Sequence, residues 1–526
     1  MKKQTKLKAK MLWVGVGVAA SLAGWGGGGG GGSDAGGDGG NPGGGGGGGG
    51  GADSSLLALA NERNEDGTFT LFAVDTDTGS RTQLDTGGLA AYQAPSAGER
   101  VVFSRATQLE ADQVSDRDLF SVALDGQGSL QLSDGPSVDR VYAIVGDRVV
   151  FHRTSGGNVD VRSVKLDGSL PVSLADNSLA EEKAVRIAGD LVILETRLNG
   201  STDTNLEAIR VDGTGGAVAI ANSAQDERFL DVVGEFIVYS RHVESQIAGD
   251  LKQILSKSLV GDANAVLLAD AKSDVGEAAG NTYAGYLGNR IFLGVHSLTA
   301  DNVSLEQHID SINVDGTDHK PRLVDDAFPP KLVGDRLLFS RHSEAVKQLW
   351  SAAADGSGEA LKLTDATAAT FIDAVGGDTV VVHRDEPMVV GGIQRNIYAL
   401  RLTPTGALEL PLAVDPANES FKGITSRRVL IERELDQVSL GGRKGLLTAT
   451  LDGSSIQELL PNWPADVEFV RTLPGLAPEG RVVVKRHLTP PGGGGVSTGV
   501  ELVAVDADGG NLAVLTTKTI DVSLAD

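Results

Sequence analysis

Asp-Gly pairs recur along this chain at near-regular intervals, and they limit its fold more than any other feature. They stand at Asp125-Gly126, Asp167-Gly168, Asp212-Gly213, Asp315-Gly316, Asp355-Gly356, Asp452-Gly453 and Asp508-Gly509, with variants at Thr78-Gly79, Gly261-Asp262 and Thr405-Gly406. The interval is roughly 40–55 residues, the range of propeller blades and solenoid repeats. Asp-Gly is a strong hairpin signal, and the pattern predicts type I′ turns with positive φ at both central positions.

Between these turns lie four short apolar runs. In residues 141–176, Val141–Val145 leads to the turn Gly146-Asp147, and Arg148–Arg153 forms a second run. Val161–Leu166 leads to Asp167-Gly168, and Pro171–Asp176 is the fourth. The second runs, VVFSR (101–105), LVILETR (191–197), FIVYSR (236–241), RLLFSR (336–341), TVVVHR (379–384), RVLIER (428–433) and RVVVKR (481–486), are too short and too β-branched for helices. They are apolar on both faces, so both faces must be covered. Four strands per repeat and no helical segment predict an all-β chain, a β-propeller of four-stranded blades with about ten repeats. The first repeat has three runs only, so the leftover stretch Thr519–Leu524 is expected to supply its innermost strand and close the ring. Two smaller rings are the alternative arrangement.

The blade pattern, turn–VVF–loop–L(F/Y)xxxLDG–xxxxLTD, resembles the WD-like repeats of TolB-type propellers and of prolyl-oligopeptidase-type propellers. The resemblance spans nearly all of residues 56–526 and implies the fold; it assigns no activity.

The N-terminus reads differently. Lys2, Lys3, Lys6, Lys8 and Lys10 precede the apolar stretch 11–24, the layout of an export signal over residues 1–25. Leu22-Ala23-Gly24 resembles the run before a lipoprotein's lipidated cysteine, yet Trp25 follows and has no thiol. Three readings stay open: ordinary cleavage with Ser21 and Ala23 as the small residues, a retained anchor, or a Trp25 that is a sequencing error or variant of cysteine, whose codons differ from tryptophan's by one base. Residues 26–55, glycine-dominated, read as a tether that buries too little to fold. Residues 56–526 are the propeller.

Composition narrows the function. The net charge of -24 argues against tracking nucleic-acid phosphates, and contact with a membrane is expected only through a retained signal or lipid anchor. The absence of cysteine excludes disulfides, thiolate metal sites and a cysteine nucleophile. No H-E-x-x-H or P-loop occurs, and no catalytic residue, metal site or cofactor is assigned; the chain is read as a non-enzyme.

The first-to-second turns and the Asp-Gly turns are expected on one face. The longer second-to-third loops, 106–117, 242–250, 297–307, 385–394, 434–443 and 487–499, fall on the other, where recognition is expected. At their base one arginine recurs: Arg63, Arg105, Arg153, Arg197, Arg241, Arg341, Arg384, Arg433 and Arg486. Val295 and His296 mark the repeat that departs. Aspartates recur where fourth strands end, at Asp85, Asp134, Asp176, Asp270, Asp325, Asp365 and Asp415. The arginines are expected to pair with these aspartates; an open cation ring for an anionic ligand is the sharper alternative. His152, His242, His342, His383 and His487 adjoin the same position without metal-ligand spacing. The expected protein is an exported, monomeric binder or scaffold of the bacterial periplasm or cell envelope. Its long-loop face would take an envelope protein, a peptide or a glycan. The runner-up is a hydrolase or lyase with its site at the channel mouth.

Overall fold

The structure, a computed structural model, describes residues 57–524 apart from short segments, of which the longest are 244–250, 271–278, 299–304, 435–443, 460–466, 474–480, 489–498 and 516–521. The segments read as signal and tether lie outside the described residues. Among those described, every element is a strand. They form eight four-stranded sheets and one of eight strands, itself two sets of four joined by a single parallel pairing at Arg117 and Val138. All other pairings are antiparallel, and within each set the strands lie in chain order, as in Val138–Val145, Arg148–Ser155, Asn158–Lys165 and Val172–Ala175. The exception is the first sheet, where Leu57–Arg63 lies between Phe69–Asp75 and the C-terminal strand Val522–Leu524, with Ala60 opposite Leu524. Thr519 to Asp521, read with that strand from sequence, lie outside the described residues.

The apolar second strands are explained by what covers them. Successive side chains of a strand point to opposite faces. Val149 and Phe151 therefore pack on Val102 and Leu119 of the preceding sheet. Val150, between them, packs on Val192 and Leu194 of the following one. The same division repeats at each joint, and a further cluster packs Ala58, Ala60 and Val74 of the first sheet on Val483, Leu502 and Ala504 of the last. Face-to-face packing of four-stranded antiparallel sheets, each on its chain neighbours, is a β-propeller.

The Asp-Gly turns depart from the sequence expectation. The amides of Gly126, Gly168, Gly213, Gly316, Gly356 and Gly453 each donate to the carbonyl three residues back, at 2.8–3.0 Å. The glycine thus closes the turn and carries the positive φ alone, while the aspartate before it does not. This is the hairpin in which an ordinary turn is followed by a glycine bulge, not a type I′ turn. The aspartate side chain braces the corner. Asp125, Asp167, Asp212, Asp315, Asp355, Asp452 and Asp508 each accept the amide two residues on, at 2.7–3.0 Å. The hydroxyls of Ser169, Thr214, Thr317, Ser357 and Ser454, and then these amides, hold the carboxyls of Asp167, Asp212, Asp315, Asp355 and Asp452 below the ordinary aspartate range.

The two glycine series also differ in surroundings. A Cβ on Gly126 would lie 2.6 Å from the Gln83 carbonyl oxygen of the preceding sheet, whereas one on Gly146 meets nothing within 4 Å. Gly146→Ala is expected to cost about 1 kcal/mol for its left-handed backbone alone. Gly126→Ala adds a clash with backbone, so about 2–3 kcal/mol in urea denaturation is expected. Equal costs would show that glycine is required there for φ only.

Both turn series do share one face. The residue after each third strand donates back to the first-to-second turn, as Leu166 N to Asp147 O, Val211 N to Asp190 O and Ala354 N to Asp335 O, all at 2.8 Å. On the opposite face, the segment 106–117 is not a loop as expected. It continues a long hairpin, Arg100–Glu110 with Gln113–Ala123, eleven residues each, that takes two register shifts near its tip. The central parts of the other long loops lie outside the described residues.

Candidate functional site

At the base of the long-loop face, the recurring arginine meets an acid on the first strand of its own sheet, the strand that lines a propeller's axis. Antiparallel register sets Asp139 opposite Arg153, Glu227 opposite Arg241, and Glu419 opposite Arg433. Arg153 reaches Asp139 through Nε at 2.9 Å and Nη2 at 2.6 Å. Arg241 Nε donates to Glu227 Oε1 at 3.1 Å, and Arg433 Nη2 to Glu419 Oε1 at 2.9 Å. All three carboxylates are buried. A buried carboxylate costs several kcal/mol unless a partner offsets it, which the fork of an arginine does well.

The remaining arginines are held in other ways. Arg105 pairs with Asp85 of the preceding sheet at 3.1 Å and lies over the Phe120 ring. Arg384, whose first-strand neighbour is Thr370, turns to Glu409 on its own fourth strand, where Nη1 donates at 2.9 Å. Arg341 donates to the main-chain carbonyl of Asp325 at 2.9 Å and stacks over Trp350. Arg63 is exposed, with no ion pair among the described residues, and the Arg486 side chain lies outside them. The expected fourth-strand partners are thus largely displaced. Among the described residues only Asp85 gives one of these arginines its carboxylate, while Asp134 and Asp325 offer main-chain carbonyls to Arg153 and Arg341. Asp365 and Asp415 lie outside the described residues.

One sheet breaks the pattern. In Ala180–Ala188 the residue opposite the acid Glu182 is Thr196, and Arg197 stands one place further, opposite Glu181, with which it pairs. Arg197 is therefore not structurally equivalent to the other arginines. Glu182 is buried without a guanidinium. It accepts the Asn177 amide at 3.2 Å, and burial, reinforced by Asp160, Asp176 and Glu207, pushes its carboxyl up to about 7.

First strands also carry a recurrent bulge, shifting register after Val141, Ala184, Phe229, Tyr283, Ile372, Phe421 and Phe469. A bulge frees an amide from the ladder, and the neighbouring sheet takes it. His152 Nε2 accepts Ala184 N at 3.0 Å, and Glu195 accepts Phe229 N at 3.2 Å. Burial, with Lys183 and Arg140 nearby, lowers the His152 pKa to about 4, so the ring is neutral and suited to accept. His383 stacks on Phe371 and bonds Asp373 at 2.8 Å. Asp118, buried near Asp116, Asp139 and Asp134, is pushed up to about 6. Among the described residues no group of three His, Asp or Glu is placed to hold a metal ion.

A second arginine series escaped the sequence reading. It opens the second strand, beside the turns: Arg100, Arg148, Arg290, Arg336, Arg428 and Arg481. Arg100, Arg148 and Arg290 donate to the third-strand hydroxyls of Ser121, Ser163 and Ser311 at 3.0–3.1 Å. Ser121 and Ser163 pass the bond on to the Leu166 and Val211 carbonyls of the next sheet, at 2.9 and 2.5 Å. Arg481, 1% exposed, instead reaches the first sheet, bonding Thr76 O and Asp77 while pairing with Asp506 at 3.0 Å. The signal was available in the repeated opening letter of RVVF, RIFL, RLLF, RVLI and RVVV.

The site is accordingly a platform on which most of the described arginines are held by an acid or a main-chain carbonyl, with Glu182 the buried acid that lacks a guanidinium. No protein-family model and no curated protein matches this chain. Among solved structures, a prolyl endopeptidase aligns at 12% identity over 67% of this chain and 55% of its own, with TM-score 0.36. Oligopeptidase B from Leishmania major aligns at 12% over 67% and 53%, TM-score 0.36. The β-propeller domain of the Trilobed protease from Pyrococcus furiosus aligns at 12% over 62% and 98%, TM-score 0.30. The chain spans about half the length of these first two peptidases, and the propeller assignment stands on its strand order and intersheet cores.

Proposed function

We propose that this chain is an exported binding or scaffold propeller of the bacterial cell envelope, in the manner of TolB-type repeats, which recognises a protein, peptide or glycan through its long-loop face. The observation that carries the reading is the engagement of the basal charges with one another, as in Arg153 with Asp139 and Arg433 with Glu419, beneath the projecting hairpin Arg100–Glu110 with Gln113–Ala123. Paired charges fix a floor, and loops can vary above it without disturbing the sheets. Closure of the ring by the C-terminal strand belongs to this reading, supported by the Ala60–Leu524 register. Export rests on the pattern of residues 1–25.

The test captures partners from envelope extract with three forms of the protein. Removing residues 109–114, or shortening 489–498, is expected to abolish capture at an unchanged melting temperature. Arg341→Ala is expected to retain capture and lose about 1 kcal/mol of stability. The reverse pattern would transfer recognition to the arginines. Turnover of a peptide or glycan by the purified protein would replace the reading with a propeller hydrolase.

A further inference from the structure

The joint between the sheet of Thr379–Pro387 and that of Arg428–Glu434 lacks the arginine–serine plug found at several joints, as does the joint after Leu191–Leu198, where Leu191 and Ala208 hold those places; it lies on the turn face opposite the long loops. At the place of Arg100, Arg148 and Arg290 stands Thr379, and at the place of Ser121 and Ser163 stands Ala399, opposite Val381. Leu451 holds the place of Leu166 and Val211, since its amide donates to the preceding turn, at Arg427 O, 3.0 Å. Its carbonyl therefore meets no serine, and no donor among the described residues bonds it. A cleft of about 350 Å³ opens there, within the range of small-ligand sites.

The charges of this joint are also rearranged. Where other sheets place Asp147, Asp190 and Asp335, this one places Arg427, exposed and without an ion-pair partner among the described residues. The two carboxylates of the cleft differ in availability. Asp452 is occupied by Ser454, whose amide and hydroxyl donate at 3.0 and 2.7 Å. Among the described residues Asp378 is held by the Thr379 hydroxyl at 3.1 Å and, loosely, by Arg401 at 3.5 Å. An uncommitted guanidinium thus shares one small cleft with an available carboxylate and an unbonded carbonyl.

We propose that this cleft binds a free α-amino acid. The ligand's carboxylate takes the fork of Arg427, a geometry guanidinium suits. Its ammonium donates to the Leu451 carbonyl and the Asp378 carboxylate, filling the space that an arginine and a serine fill elsewhere. A simple anion would sit beside Asp378 and Asp452 uncompensated, and a simple cation beside Arg401 and Arg427, so the arrangement favours a molecule carrying both charges. This site stands apart from the long-loop face and does not depend on what that face recognises.

Calorimetric titration of the full chain at low salt, with L-valine and L-glutamine as probes, tests the proposal. Both are expected to bind. Isovalerate and isobutylamine, which each lack one charge of valine, are expected to bind at least about tenfold more weakly, the loss of a charge-assisted bond. Arg427→Gln is expected to weaken valine at least about tenfold at an unchanged melting temperature, because the side chain is exposed. Thr379→Arg is expected to refill the cleft and abolish binding, while partner capture by the long-loop face stays intact. The proposal is overturned by no binding of either amino acid, by isovalerate binding as tightly as valine, or by Arg427→Gln without effect.

Discussion

Replacing Arg481 with alanine is expected to destabilise the propeller by about 3–5 kcal/mol, the range for removing one partner of a buried charge network. The side chain is among the largest wholly buried ones, and its contacts span the joint between the last sheet and the first. Without it Asp506, nearly buried, loses its ion pair, and the Thr76 carbonyl loses a donor. The damage should be local before it is global. Native-state hydrogen exchange should speed first in Leu57–Arg63 and Arg481–Leu488, and deletion of residues 518–526, which removes the strand beside Leu57–Arg63, should produce the same pattern. A loss below about 1 kcal/mol, typical of an exposed pair, would show that the joint is held by its apolar cluster alone.

Glu182→Gln is expected to stabilise the protein, and to do so only above acidic pH. Burial raises the Glu182 carboxyl from its ordinary 4.5 to about 7 in the folded chain. The folded state therefore binds a proton that the unfolded state has released, and stability falls as pH rises from 4.5 through 7. Below 4.5 both states are protonated and glutamine changes little. At pH 8 the folded chain carries a buried carboxylate without an arginine, and its removal should yield roughly 2–3 kcal/mol. Urea midpoints of the two proteins should coincide near pH 4.5 and diverge by pH 8. A constant difference across that range would mean that shape and not charge separates them. As a companion variant, Thr196→Arg should act in the same direction by supplying the missing partner.

The four-strand repeat was legible because its signals are local: a glycine at a positive φ, and a strand whose alternate residues meet two different neighbours. The two faces were legible for the same reason, since turn length is written in adjacent residues. Partners of the arginines were not. Asp139 meets Arg153 only through register, and most first strands carry a bulge that shifts the count, so sequence distance cannot reveal who stands opposite whom. A single displaced residue moved Arg197 out of the series and left Glu182 alone. Nor was the turn type legible, because the letters Asp-Gly suit the centre of a corner equally well, whereas the chain puts the glycine at its exit. The Arg-Ser relay beside the turns joins different sheets, and a repeat read one unit at a time does not display it.

The sharing of each second strand between two neighbours also bears on how the chain assembles. All joints but one link sheets that follow each other directly in the chain, so each can form by closing a segment of one or two repeats. The remaining joint brings residues near 58 against residues near 503, a loop roughly tenfold longer, whose closure costs about 2 kcal/mol more in chain entropy. Assembly can therefore propagate from sheet to sheet as in an open array, with nearest-neighbour contacts rewarding every addition. Packing the first sheet on the last is the slow, non-local event. Kinetically, the molecule should behave as a chain of quick local steps followed by one late annealing step, whose rate responds to the residues of that last joint and hardly to any other.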